Sequence, residues 1–228
     1  MKTLIHTPTP SLDQSLTFYR RLGFEVVSAS QPTLVRDAVH CIEINPDRFA
    51  RAGVKIYRSS WGSRLPEIAK LTRLVELADG HVLGDGTGTW IYLVNGLPSF
   101  EIPGEGPASV LGKGAGLSLE TTSYDQTLDL WLALGFEASS GSTDEGYASL
   151  TSEDGFVVTV MKPLSCPHLF FNPSMTYFNS GNNLSVIQGI RDAGVEITEE
   201  ITHFNDEGIV DNVIVRDPGG YGFFVFND

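Results

Sequence analysis

The sequence predicts an α+β protein built from four β-α-β-β-β modules arranged as two tandem halves. Three observations predict it. Residues 11–30, SLDQSLTFYRRLGFEVVSAS, and residues 123–142, SYDQTLDLWLALGFEASSGS, agree at 10 of 20 aligned positions. Each of these helical phrases is preceded by a strand-like segment and followed by short β-branched and aromatic runs. The same order of strand, helix and strands then recurs once more within each half, so the repeat covers nearly the whole chain.

Taken in order, the first strand is predicted in TLIHTPTP (3–10). Ser11 followed by Gln14 has the spacing of an N-terminal capping box, Leu12, Leu16 and Tyr19 recur at helical spacing, and Gly23 supplies a stop. Strands follow in FEVVSAS, TLVRDAV and HCIEINP, and a new module opens with GVKIYRS. Its helix is predicted over 65–80, LPEIAKLTRLVELADG, and TWIYLVNG and SFEIP are predicted to close it as strands. The glycines of GDGTGT (84–89) lack a following Gly-Lys-Ser/Thr and a strand-to-helix context, so they predict a hairpin turn and not a phosphate loop.

GEGPASVLGKGAG (104–116) is glycine-rich without an apolar period and reads as the linker. Beyond it, GLSLETTS (116–123) is a strand, and Ser123, Gln126, Leu128, Trp131 and Gly135 repeat the logic of the first helix. FEASSGS, YASLTS, FVVTVMKP and MTYFNSG are strands, LSVIQGIRDAGV (184–195) is a helix, and VDNVIVRDPGG with YGFFVFN ends the chain. The predicted domains are residues 1–103 and 116–228, with 104–115 between them.

A chain of 228 residues with 41% hydrophobic and 19% charged residues has the composition of a globular protein. The net charge of −13, without a basic stripe, excludes nucleic acid and anionic membrane as expected partners, because phosphate binding needs clustered Lys and Arg. No stretch has the roughly 18–20 consecutive apolar residues of a membrane span, and the N-terminus lacks a secretory apolar region. Cys41 and Cys166 form no C-x-x-C pair, which fits a reduced, cytoplasmic setting, with a single disulfide as the alternative.

FYRRLGFEVV, the three short strands after it, the second shorter helix and the terminal RDPGGYGFFVF together resemble the vicinal oxygen chelate superfamily. That superfamily includes glyoxalase I, bleomycin and fosfomycin resistance proteins and extradiol dioxygenases. The resemblance covers both halves and implies paired modules with curled mixed sheets around a cavity and helices outside. It also implies a divalent metal (Zn, Ni, Mn or Fe) or none, held by His, Gln or Glu on the first and last strands of modules. Such a metal would chelate two neighbouring substrate oxygens while a carboxylate shuttles a proton.

Transferred residue by residue, the resemblance puts Glu43 and Glu101 at carboxylate positions, as catalytic groups and metal ligands. The first-strand ligand position falls on Leu4, with His6 one pleat farther on the same face as the third donor. Tyr57 falls on the matching strand before the second helix, where it would bind substrate, and Trp61 in SSWGS is a further substrate-binding candidate. The second half has Gly116 or Ser118, Val160, Tyr177 and Phe224 at these places, which hold no divalent metal but could line an apolar cavity with Phe226. Two arrangements stay open: Glu43 and Glu101 share a site if the modules of one half pair, whereas a swapped pairing sets Glu43 against Phe224 and Glu101 against Val160.

The bland readings are equally concrete. His6 is an ordinary strand histidine, Glu43 a paired or solvated carboxylate, and Glu101 a surface group. His40, His81, His168 and His203 are scattered and read as structural, while Trp90, Trp131, Phe170 and Phe171 read as core. The expected function is a small-molecule-binding member of that superfamily, acting if an enzyme as a metal-dependent lyase, isomerase or dioxygenase. The alternative is a metal-free binding or sequestering protein of the bleomycin-resistance type; either is expected as a monomer or homodimer.

Overall fold

The computed structural model describes residues 1–100, 106–164, 173–202 and 204–227. Four modules with one plan follow each other. The first comprises β1 (Lys2–Pro8), α1 (Leu12–Arg21), β2 (Glu25–Ser28), β3 (Thr33–Arg36) and β4 (Cys41–Asn45). The second comprises β5 (Gly53–Arg58), α2 (Leu65–Leu71), β6 (Val75–Leu77), β7 (Gly80–Gly84) and β8 (Trp90–Asn95). The third has β9 (Lys113–Glu120), α3 (Tyr124–Leu134), β10 (Glu137–Ser142), β11 (Tyr147–Thr151) and β12 (Val157–Met161). The fourth has β13 (Ser174–Phe178), α4 (Asn183–Asp192), β14 (Glu199–Ile201), β15 (Asn212–Arg216) and β16 (Gly222–Phe226).

The strands form two mixed eight-stranded sheets, ordered β2-β3-β4-β1-β5-β8-β7-β6 and β10-β11-β12-β9-β13-β16-β15-β14. In every module the first strand runs parallel to the fourth and the other pairs are antiparallel. This is the predicted α+β class. The chain divides into two compact units that cut across the halves. One contains residues 1–4, 53–101 and 116–173, hence modules two and three; the other contains 5–52, 102–115 and 174–228, hence modules one and four.

The helix termini follow the duplicated phrase, with one change of detail. Ser11 and Ser123 are the N-caps of α1 and α3, but neither side chain makes a capping bond. The job passes to threonines two residues upstream: Thr9 Oγ1 accepts the Ser11 N–H and meets Ser15 Oγ at 2.7 Å, and Thr121 Oγ1 accepts the Ser123 N–H. Gly23 and Gly135 close the helices with φ of +84° and +100°, a region that glycine enters without steric cost.

The long helix expected over 65–80 is shorter. It ends at Leu71 because Thr72 turns extended and gives its hydroxyl to the Gly84 carbonyl, and Val75–Leu77 then pairs with β7 as a strand. SFEIP adds no strand among the described residues, and the fourth strand of module two is β8. β14 is a further short strand that the sequence pattern does not announce.

Candidate functional site

Ladder registers define equivalent positions in the four modules. In each, the backbone N–H at the start of the turn between third and fourth strand bonds a carbonyl at its end: Asp37 to His40, Asp85 to Thr89, Ser152 to Phe156 and Asp217 to Tyr221. Counting three residues on gives Glu43, Tyr92, Thr159 and Phe224, which pair with His6, Lys55, Ser118 and Thr176 respectively. Only module one joins an imidazole to a carboxylate at this place.

His6 is 1% exposed and Glu43 is 5% exposed, so Glu43 is not a solvated carboxylate and His6 is a buried strand histidine bonded to its neighbours. The surrounding bonds fix the imidazole tautomer. Asn45 Oδ1 accepts the Asp47 N–H at 2.9 Å, so its amide nitrogen faces His6 Nε2, 3.1 Å away. Nε2 is then the acceptor, and Nδ1 carries the proton and donates it to the Arg51 carbonyl at 3.0 Å. His6 Nε2 lies 3.9 Å from Glu43 Oε1, outside hydrogen-bond range but close enough for one bound group to touch both. Cys41, on the same face of β4, is partly buried with its thiol pushed up to about 12, first by burial and partly by Glu43, so it is an inert thiol at neutral pH.

A histidine that gives Nδ1–H to a backbone carbonyl and keeps Nε2 as acceptor has the posture of a metal ligand. The donor count, however, stops short. Among the described residues no group of three His, Cys, Asp or Glu is placed to hold a metal ion. His6 and Glu43 would be two of the three or four protein ligands that a metal centre usually has. Glu101, the third donor expected from the resemblance, lies outside the described residues, as do Cys166, His168, Phe170, Phe171 and His203.

Tyr57 and Trp61 belong to the other unit. Tyr57 is 8% exposed and meets Phe100 edge-on, with ring centroids 6.3 Å apart. Trp61 is fully buried and donates its indole N–H to the Val94 carbonyl at 3.0 Å, which is a core residue's contact. Tyr177 and Phe224 lie on opposite faces of their strands, because Tyr177 is in register with Val225 and Thr176 with Phe224. Val160 stands one residue beyond Thr159, the true partner of Ser118, and so faces the other way.

Tyr177 instead belongs to a set of buried carboxylate clasps that the residue-by-residue transfer overlooked. Its hydroxyl donates to Asp37 Oδ2 at 2.7 Å, while Oδ1 accepts the N–H of Val39 and His40. The mirror clasp is Asp217, whose Oδ2 takes the hydroxyls of Thr7 at 2.6 Å and Tyr19 at 2.8 Å. Burial raises Asp217 above the ordinary carboxylate range against these bonds, and raises Tyr19 and Tyr177 as well. Burial likewise lowers His40 against the pull of Asp37. Gly219 has no room for a Cβ because the turn packs on the Pro8 carbonyl. The clasps join modules one and four through the face carrying Thr7, Tyr19 and Phe223; Glu43 and Phe224 are on the opposite faces of β4 and β16.

The whole architecture matches solved structures. Homoprotocatechuate 2,3-dioxygenase from Arthrobacter globiformis aligns with a TM-score of 0.57 at 12% identity, over 99% of this chain and 78% of that one. The Mn(II)-bound glyoxalase from Novosphingobium aromaticivorans aligns with a TM-score of 0.55 at 13% identity, over 98% and 80%. A 2,3-dioxygenase from Pseudomonas sp. KL28 gives 0.54 at 13% identity, over 99% and 91%. The chain has the vicinal oxygen chelate fold. No protein-family model and no curated protein matches the sequence, so at these identities the likeness carries the fold alone. No helix among the described residues is long and apolar enough to cross a membrane.

Proposed function

We infer that this chain binds a small polar molecule at the His6 and Glu43 positions of its first module and that binding there requires no metal. The observation that carries the reading is the asymmetry of equivalent positions: His6 with Glu43 in module one, against Lys55 with Tyr92, Ser118 with Thr159 and Thr176 with Phe224. A buried imidazole and carboxylate side by side in a strand pair are an uncommon polar pairing, of the kind that gathers at functional positions. His6 Nε2 takes the Asn45 amide N–H and Glu43 Oε1 stands 3.9 Å from it, so a ligand hydroxyl would donate to Glu43, with the held imidazole beside it setting the shape and polarity of the position.

The metal-assisted lyase, isomerase or dioxygenase is the second reading, favoured by the His6 tautomer alone. It needs a third donor, and Glu101 is the proposed one. Two measurements separate the readings. Zn, Ni, Mn and Fe(II) are titrated into wild type, His6→Gln and Glu43→Gln, and catechol is tested as a vicinal-diol probe by ligand-observed NMR without metal. The metal-free reading expects catechol contact that both substitutions abolish and no stoichiometric metal site. One tight metal site lost in both variants would overturn it in favour of the metalloenzyme.

A further inference from the structure

A second feature lies in the other unit. Arg58 at the end of β5 and Arg64 ahead of α2 line a cavity of about 470 Å³ together with Gly135, Glu137, Ser139 and Glu153. Both guanidiniums converge on Gly135: a Cβ built there would lie 2.8 Å from Arg58 Nη2 and 3.2 Å from Arg64 Cζ. Two like charges at this separation repel, and burial followed by the Arg64 charge lowers the Arg58 pKa.

The structural account covers only one of the two. Arg64 Nη1 donates to the Ala133 carbonyl at 2.9 Å, supplying the cation that the last turn of α3 lacks in its own sequence. Arg58 lies over the Trp61 ring at 5.5 Å, and Nη2 reaches only the Met1 sulfur at 3.8 Å. Its Nε is buried without a hydrogen bond, and among the described residues no carboxylate comes within 4.0 Å of either guanidinium. Glu153, on the cavity wall, is taken by the N-terminal ammonium at 2.8 Å. Arginine offers five N–H donors in a planar fork, so most of the donors here point at nothing in the protein.

We propose that the Arg58 and Arg64 cavity binds the phosphate group of a small molecule. A dianion bridging the two forks would relieve their repulsion and satisfy the buried Arg58 Nε, and bidentate guanidinium contacts favour phosphate geometry. The overall charge of −13 directs the site to a small anion and away from a polyanion, which the rest of the surface repels.

The test is calorimetric titration of inorganic phosphate into wild type at low ionic strength, with acetate as the monoanion comparison. One saturable site is expected, with Arg58→Gln weakening it by about tenfold or more. Ser139→Asp, a change at an exposed strand position on the cavity wall, is expected to weaken it similarly through repulsion and does not depend on the fold tolerating loss of Arg58. No saturable heat in wild type, unchanged binding in both variants, or acetate binding as tightly as phosphate would each overturn the proposal.

Discussion

In one unit Asp217 receives two side-chain hydroxyls from the partner module, Thr7 and Tyr19; in the other, the residue at the place of Tyr19 is Trp131 and the turn carboxylate is Asp85. Asp85 Oδ1 is bonded by its own loop, to the Thr87 and Thr89 N–H groups and the Thr87 hydroxyl. Trp131 stands close enough to favour the charged carboxylate, yet its indole N–H and Asp85 Oδ2 make no hydrogen bond of good geometry. What replaces the clasp is packing and backbone capping: Trp131 meets Phe136 edge-on at 5.0 Å, Arg64 caps Ala133, and Gln126 donates to the Leu71 carbonyl. One fold element, duplicated, is therefore held by charged hydrogen bonds in one unit and by apolar contact in the other. The clasp fixes geometry through few strong bonds, while packing spreads the same task over many weak ones.

The largest test of that contrast removes the carboxylates. Asp217→Ala leaves the Thr7 and Tyr19 hydroxyls and the Tyr221 N–H buried without their acceptor, and is expected to cost about 3–5 kcal/mol. Asp85→Ala frees the N–H groups of Thr87, in a half-buried position, and of buried Thr89 but no hydroxyl from another module, and is expected to cost less, about 1–3 kcal/mol. Urea unfolding of both variants measures the difference. Equal losses would mean that the clasp is not what distinguishes the units.

A smaller effect sharpens the same point. Tyr19→Phe keeps the ring, which contacts Phe24 and Phe223, and deletes only the hydroxyl on Asp217. A hydrogen bond to a charged group is worth about 1.5–3 kcal/mol, and that is the expected loss. A loss under about half a kcal/mol would assign the clasp to Thr7 alone, since Thr7 donates to the same oxygen.

Much of this was legible in the sequence, and the illegible part has a physical pattern. The duplicated phrase located α1 and α3 and their glycine ends because capping and helical period are local signals. The clasps also left a trace: Val-Arg-Asp occurs at 35–37 and again at 215–217. Strand faces were harder. A one-residue slip turns every side chain over, and the turns after Asp37 and Asp217 differ by one residue in length, His40 answering to Tyr221. Tyr177 and Val160 stand one residue off in the same way: the register sets Thr176 and Thr159 at the places of Lys55 and Glu43. β6 escaped notice because Val75, Glu76 and Leu77 are all exposed and show no alternation. His6 and Glu43 come together as neighbours because their strands are legible, whereas of the partners Asn45 ends β4 and Arg51 lies in the loop beyond it, where no periodic signal exists.

The smallest expected effect is a slope with pH, and its sign follows from Asp217. Burial raises its folded pKa above the ordinary value of 3.8, so between 3.8 and the raised value the folded chain keeps a proton that the unfolded chain has released. Folding is then linked to proton uptake, and the stability that this group contributes is full below 3.8 and declines as pH rises through the folded pKa. Wild type is therefore expected to lose stability relative to Asp217→Asn across that window, and Asp85→Asn is expected to show the same sign, because burial raises Asp85 too. Tyr19→Phe adds the decisive comparison. The Tyr19 hydroxyl favours the charged form of Asp217, so deleting it moves the folded pKa farther up and extends the declining window. Urea unfolding at intervals from about pH 3.5 to 8 reads all four curves. A wild-type curve that rises relative to Asp217→Asn would mean that the two hydroxyls outweigh burial, and the clasp would then stabilise the charged carboxylate.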